Sequence, residues 1–230
     1  MFKRFAMEEI KIVFEDKDLM VVEKPPLMTT TKEKKGENGT LEDCLKKNRP
    51  NNLPRNGILH RLDKGTSGLI MVAKTEEAFL GLKKQFKERS LTKKYYCLVG
   101  GETPFEGEID MPIARSKYSF SKFGVNEEGK RALTKFTLVR KYRSGEKIYS
   151  LLDIDLKTGR THQIRVHLSY LRWPLVGDKT YGGEEINGLK RPFLHAYKII
   201  FKHPVNKGDV EIKIDLPKDL TEVLNKYEKF

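Results

Sequence analysis

The chain has 230 residues, enough for one large domain or two small ones around a substantial buried core. Its 38% hydrophobic and 33% charged content is that of a globular protein, and no apolar run approaches the ~20 residues of a membrane-spanning helix, so a membrane protein is excluded from the expectation. Lys and Arg outnumber Asp and Glu by 45 to 32, a formal net charge of +13, which favours polyanionic partners and puts nucleic acid first among them.

Acidic residues within the first ten positions, in MFKRFAMEEI, and the lack of an uninterrupted apolar core argue against a signal peptide. Residues 10–23 read as two short strands around the turn Glu15-Asp16-Lys17-Asp18, and Lys24-Pro25-Pro26 ends the second. The polar run TTTKEKKGENG is loop chemistry, after which Thr40 caps a short helix carrying Leu41 and Leu45. A linker from Asn48 to Arg55 leads to GILHRLDKGTSGLIMVAKT, where a charged knot (His60, Arg61, Asp63, Lys64) and a tight Gly65-Thr66-Ser67-Gly68 turn precede a buried apolar strand.

Phe79, Leu82 and Phe86 then fall at helical spacing over residues 76–89, with Lys83, Lys84 and Lys87 on the other face. Residues 95–99 form a strand. Lys117-Tyr118-Ser119-Phe120-Ser121-Lys122-Phe123 interleaves cations with aromatics in a hairpin, a pattern suited to phosphates and unpaired bases, or to aromatic packing on its own sheet. Residues 136–140 and 148–156 alternate as antiparallel strands about Ser144-Gly145. Thr161 is placed to cap a helix with Ile164, Leu168 and Leu171 on its buried side, strands return at 193–201 and 210–214, and a last helix begins near Asp219. No repeat or hinge-like linker divides the chain, so a single α+β domain spanning residues 1–230, built on a mostly antiparallel or mixed sheet, is expected.

Several chemistries are excluded by pattern. There is no Gly-x-x-x-x-Gly-Lys-Ser/Thr phosphate loop and no G-x-S-x-G elbow around Ser67. His162 and His167 are five apart, which does not put them on one helical face, and Cys44 and Cys97 form no C-x-x-C pair, so no metal site is expected. Both cysteines read as packing residues in a reducing cytoplasm.

HRLDKGTSGL at 60–69 and TGRTHQIRVHL at 158–168 resemble the paired signatures of the RluA-type pseudouridine synthases. The resemblance continues in chain order through Glu23-Lys24-Pro25, the Lys93-x-Tyr95 strand, Pro174-Leu175-Val176-Gly177-Asp178 with Tyr181-Gly182, and Leu194-His195-Ala196. The chain departs from the family where Lys-Pro-Pro-Leu replaces a turn that commonly holds a glycine, and where Arg172-Trp173 stands before Pro174 in place of a glycine. No room for an S4 RNA-binding domain is expected ahead of Ile10.

The resemblance implies an isomerase that converts uridine to pseudouridine in ribosomal or transfer RNA, with Asp63 as nucleophile at C1′ of the sugar or C6 of the base. It implies that Tyr95 stacks on the extruded uracil, that Arg165 faces Asp63 and keeps it ionised, that Arg61 replaces the flipped base, and that Leu194 forms a floor beneath it. Residue by residue the plainer readings are a turn aspartate, a core tyrosine, a solvated helix arginine and a core leucine. His60, His162 and His167 are expected to orient the loop and helix, and Lys32, Lys34, Lys35, Lys83, Lys84, Lys87, Lys93 and Lys94 to meet phosphates. A redox-neutral isomerisation needs neither cofactor nor metal. A cytoplasmic monomer acting on RNA, away from membranes, is the expectation, and its rival is a non-catalytic RNA-binding or ribosome-assembly protein of the same fold.

Overall fold

The computed structural model describes residues 10–32, 37–117, 119, 122–186 and 188–230. In chain order the elements are β1 (Lys11–Glu15), β2 (Leu19–Lys24), α1 (Leu41–Asn48), a 3-10 turn (Pro54–Gly57), β3 (Ser67–Ala73), α2 (Glu76–Glu88), β4 (Thr92–Gly100), β5 (Glu106–Asp110), β6 (Ile113–Arg115), β7 (Phe123–Val125), β8 (Leu133–Ser144), β9 (Lys147–Leu156), α3 (Gln163–Tyr170), β10 (Leu194–Lys202), β11 (Asp209–Lys213), α4 (Lys218–Leu224) and β12 (Glu228–Lys229). The fold is α+β. The chain divides into two compact units, one taking residues up to Thr92 with Lys198–Ile214, the other Lys93–Tyr197 with Asp215–Phe230.

In the first unit β1 and β2 form a hairpin, and β2 pairs antiparallel with β3 from Leu19 opposite Ala73 to Lys24 opposite Gly68. All seven residues of β3 are buried, which is why its sequence is an unbroken apolar run rather than an alternating one. Leu19, Val21, Leu69 and Met71 pack with Leu82 of α2 and with Ile199, Phe201 and Ile212 of β10 and β11. Thr40 caps α1 in a reciprocal box with Asp43, and Thr75 caps α2 through the Ala78 N–H.

In the second unit β9 lies between β4 and β8, antiparallel to both, with β5 and β12 also on β8. The register slips between Leu138 and Arg140, a bulge that leaves Val139 exposed. The core joins Leu98, Tyr142, Tyr149, Leu151, Val176 and Phe193 to Leu220 and Val223 of α4.

Two expectations are corrected. Thr161 does not cap α3. The chain enters that helix through His162 in the left-handed region (φ 56) with no side-chain cap, because the turn is held from inside by Gln163, whose Oε1 accepts from the Arg160 N–H (3.0 Å) and the Thr158 hydroxyl (2.7 Å). Leu171, expected on the helix's buried side, follows its last residue as the C-cap. Neither β5 nor β12 was anticipated, since their residues are mostly exposed and carry little apolar alternation.

Both segments that depart from the expected glycine hold a residue with a strained backbone. Leu27 has φ 67 and Arg172 has φ 63, a conformation costing a side-chain-bearing residue about 1–2 kcal/mol relative to the right-handed region.

Candidate active site

Asp63 sits on the segment between the 3-10 turn and β3, half-buried, in a turn closed by the Thr66 N–H donating to its own carbonyl (3.0 Å). The segment before it is fixed at several points. Gly57 (φ 80) lets the backbone pass against β3, where a Cβ would stand 2.0 Å from the Ala73 carbonyl oxygen. Leu59 N–H donates to the Met71 carbonyl, and Met71 N–H donates to His60 Nε2 at 3.1 Å, so His60 orients the loop. The Thr30 hydroxyl takes both backbone groups of Leu62, donating to its carbonyl (2.8 Å) and accepting from its N–H (3.1 Å). With Thr30 at 1% and Leu62 at 4% exposure, this clamp acts on the residue between exposed Arg61 and half-buried Asp63 and is shielded from water. Lys24 is wholly buried, and its ammonium donates to the carbonyls of Pro25 (2.9 Å) and Met28 (2.7 Å), tying the strained Lys-Pro-Pro-Leu turn.

The remaining predicted residues belong to the second unit. Tyr95 is a buried residue of β4 opposite Ile154, and Leu194, also buried, opens β10 with its carbonyl accepting from Arg191 (3.3 Å). Arg191 is itself held by both oxygens of Asp219. Arg165 lies on α3 at 8% exposure, so it is no solvated helix charge. Its Nε and Nη2 donate to the two oxygens of Asp178 (2.7 and 2.8 Å), a two-pronged pair in which the carboxylate is 1% exposed. Gly177 (φ 79) permits the turn that presents Asp178, since a Cβ there would lie 2.2 Å from the Arg191 carbonyl oxygen. Tyr181 stands on the same side: its hydroxyl pairs with His162 Nδ1 (2.8 Å), and Arg165 lies over its ring at 4.9 Å.

The rest of the second motif is scaffolding. Gln163 Nε2 donates to the Leu133 carbonyl and to Thr134 Oγ1 (3.0 Å each), and His167 bridges Thr134 Oγ1 and the Met111 carbonyl (2.9 Å each). Burial pushes the His167 imidazole below its ordinary range.

The cations expected to meet phosphate divide. Lys83, Lys84 and Lys87 are exposed on α2, whereas Lys94 is held by Asp153 (2.7 Å) and Lys32 by Asp43 (3.1 Å). Burial draws Lys93 down to about 8, partly opposed by Asp155. Lys34, Lys35, Tyr118 and Phe120 lie outside the described residues.

Among the described residues, Asp16, Asp18 and His203 form the one cluster able to offer three metal ligands. Its chemistry opposes a cation. His203 Nδ1 accepts from the N–H groups of Val205 and Asn206 (3.2 Å each), so the proton resides on Nε2, which donates to Asp16 Oδ2 (2.8 Å). No imidazole lone pair is left facing the carboxylates.

Residues 18–170 match the RNA pseudouridylate synthase family model. The chain belongs to that family. Its members are isomerases acting on RNA, so RNA is the substrate class. The chain is 36% identical to the ribosomal large subunit pseudouridine synthase D of Haemophilus influenzae over 239 residues, covering 96% of this chain and 72% of the relative. It is also 36% identical to an uncharacterized RNA pseudouridine synthase of Bacillus subtilis, over 96% of this chain and 74% of that one. Among solved structures it resembles human RNA pseudouridylate synthase domain containing 1, with a TM-score of 0.79 and 28% identity over 99% of this chain and 91% of that one. No helix among the described residues is long and apolar enough to cross a membrane.

The resemblance quoted Asp178 and Tyr181 without giving them a role, and Thr30 escaped sequence reasoning altogether. The signal for Thr30 was a run of three threonines just after a buried strand, which composition reads as loop.

Proposed function

We propose that this synthase isomerises a uridine of ribosomal RNA with Asp63 as the nucleophile, and that Tyr95 and Arg165 are its catalytic partners, with Arg61 and Leu194 contacting the base or its vacated place. The observation that carries the reading is the fixation of the Asp63 segment. A carboxylate that must attack needs its backbone immobilised, and the Thr30 clamp on Leu62, the Met71–His60 hydrogen bond and the Gly57 passage all act on the residues just before it. A turn aspartate serving only its own loop has no need of these restraints. The ribosomal substrate is taken from the name of the Haemophilus relative. A single catalytic domain over residues 1–230 is part of the proposal.

The reaction breaks the N1–C1′ bond, turns the uracil and rejoins it through C5, which releases the C5 hydrogen. A carboxylate suits this course because it forms a bond to one fragment and later leaves. Tyr95, a buried aromatic with a polar tip, fits a stacking partner for the base. Arg165 is held in one orientation by Asp178, as a preorganised cation should be.

The test uses ribosomal RNA transcribed with tritium at uracil C5. Native protein should release tritium to water, and Asp63→Asn should abolish release while binding the same RNA. Near-normal release by the variant would remove Asp63 from the role.

A further inference from the structure

The outer face of α2 is cationic over its last two turns. Lys83, Lys84 and Lys87 are all exposed, and the helix ends on exposed Arg89, held in the left-handed region (φ 57) where glycine is the usual occupant. Glu76 and Glu77 stand in the first turn, so the charges of the helix are segregated by end. Among the described residues Lys84 meets only Glu88, at 3.9 Å, and no carboxylate lies within ion-pair distance of Lys83, Lys87 or Arg89. One positive side chain in a last turn complements the helix dipole, whereas Lys83 and Lys87, one turn apart on the same face, repel each other. A polyanion laid along the face relieves that crowding.

Two flanks fix where this face sits within the first unit. Gly81 lets Pro204 of the β10–β11 turn close on the helix, since a Cβ there would stand 2.8 Å from that of the proline, and the Gln85 amide bonds both ways with the backbone of Lys202 (2.7 and 3.1 Å). On the other flank the Phe86 ring meets the His60 ring at 5.2 Å, and His60 is the residue that orients the segment leading to Asp63. The cationic face therefore belongs to the helix that abuts the nucleophile's own segment. It offers nothing to a base: Phe86 packs with Leu59 on the core, Phe79 is half-buried, and the exposed side chains of α2's last two turns are all charged.

We infer that the outer face of α2 binds the phosphate backbone of an RNA duplex flanking the target uridine, with Lys83, Lys84 and Lys87 on phosphates and no base read. This rests on the reading that RNA is the substrate and that Asp63 is the reacting group. A duplex fits because it presents close-set rows of phosphates and encloses its bases, whereas a single strand is held by stacking surfaces that this face lacks.

The experiment measures binding of a labelled twelve-pair RNA duplex and of a twelve-nucleotide oligouridylate over a range of salt, using the full chain. Lys83→Ala/Lys84→Ala/Lys87→Ala places the strongest helix former at three exposed positions and so keeps the fold. It should make the log–log salt dependence for the duplex shallower by about 2.7, three contacts at about 0.9 each, and weaken duplex binding about tenfold or more at low salt, with the oligouridylate slope unchanged. Lys218→Ala/Lys226→Ala/Lys229→Ala removes the same charge from exposed positions outside this face and should leave the duplex slope at its native value. No duplex binding by native protein, an unchanged duplex slope in the α2 variant, equal flattening by the second variant, equal loss for both RNAs, or polyglutamate competing as well as the duplex would each overturn the inference. Tritium release by native protein and Asp63→Asn is followed alongside. Its failure would strike the catalytic assignment, while the binding results would still judge the helix face.

Discussion

Replacing Asp178 with asparagine keeps the size and one carbonyl oxygen of the side chain but removes the charge that faces Arg165. The guanidinium is 8% exposed and its partner 1%, so neither is compensated by solvent when the other is neutralised. Two unit charges about 4 Å apart at an effective dielectric near 20 attract by about 4 kcal/mol. Removing one member of such a buried pair costs about 3 to 5 kcal/mol, which for a chain of this length lowers the melting temperature by roughly 6 to 20 °C. The Thr180 N–H, which donates to Asp178 Oδ1 at 3.2 Å, keeps its acceptor in the variant, so the loss reports the ion pair rather than the loop. Urea unfolding followed by circular dichroism should therefore show Asp178→Asn and Arg165→Met each strongly destabilised. The double variant should lose less than their sum by about 2 kcal/mol or more, because the two residues interact directly and the pair can be lost only once. Additive losses, or an Asp178→Asn variant within about 1 kcal/mol of native, would refute the claim that Asp178 holds Arg165 in place.

Thr30→Val leaves a buried N–H and carbonyl of Leu62 without their shared hydroxyl, at about 1–3 kcal/mol per group, and should lower tritium release by about a hundredfold through displacement of Asp63; unchanged turnover would show that the clamp does not position the nucleophile. Arg172→Gly relieves the left-handed strain at an exposed position and, after glycine's greater loss of freedom on folding, should raise stability by about 0.5–1 kcal/mol in urea; a loss would mean the turn tolerates arginine without strain. Lys93 has its ordinary value near 10.5 drawn down to about 8, so between these values the unfolded chain holds a proton that the folded chain has released, and its contribution to stability rises with pH across that window and is least below pH 8. Lys93→Met should be more stable than native near pH 7 and should lack that rise, which urea midpoints at pH 7 and pH 10 would reveal; parallel pH dependence in the two proteins would contradict it.

Local pattern carried much of the fold. The apolar run from Gly68 to Ala73 is a strand because a strand covered on both faces needs no alternation, and Thr40 with Asp43 starts a helix because both groups lie within one turn. The two signatures pointed to the family because their residues stay in order along the chain, and order survives in a sequence.

What the sequence could not determine were pairings between residues distant along it. Leu62 and Thr30 are 32 positions apart, Arg165 and Asp178 are 13, and His203 and Asp16 are 187. No periodicity links such partners, so Thr30 read as loop and Asp178 as a motif letter. The same holds for Thr161, a good helix cap by residue type, which lost that place because Gln163, anchored on Thr134 of β8, already satisfied the turn. The sequence by itself determined most of the strands and helices, β5 and β12 apart, and which carboxylate belongs to the HRLD signature, since those depend on neighbours. Only the tertiary structure decided that Arg165 is buried against Asp178 and that Tyr181 pairs with His162 at the start of α3, because burial and hydrogen bonding are settled by whatever the fold brings alongside.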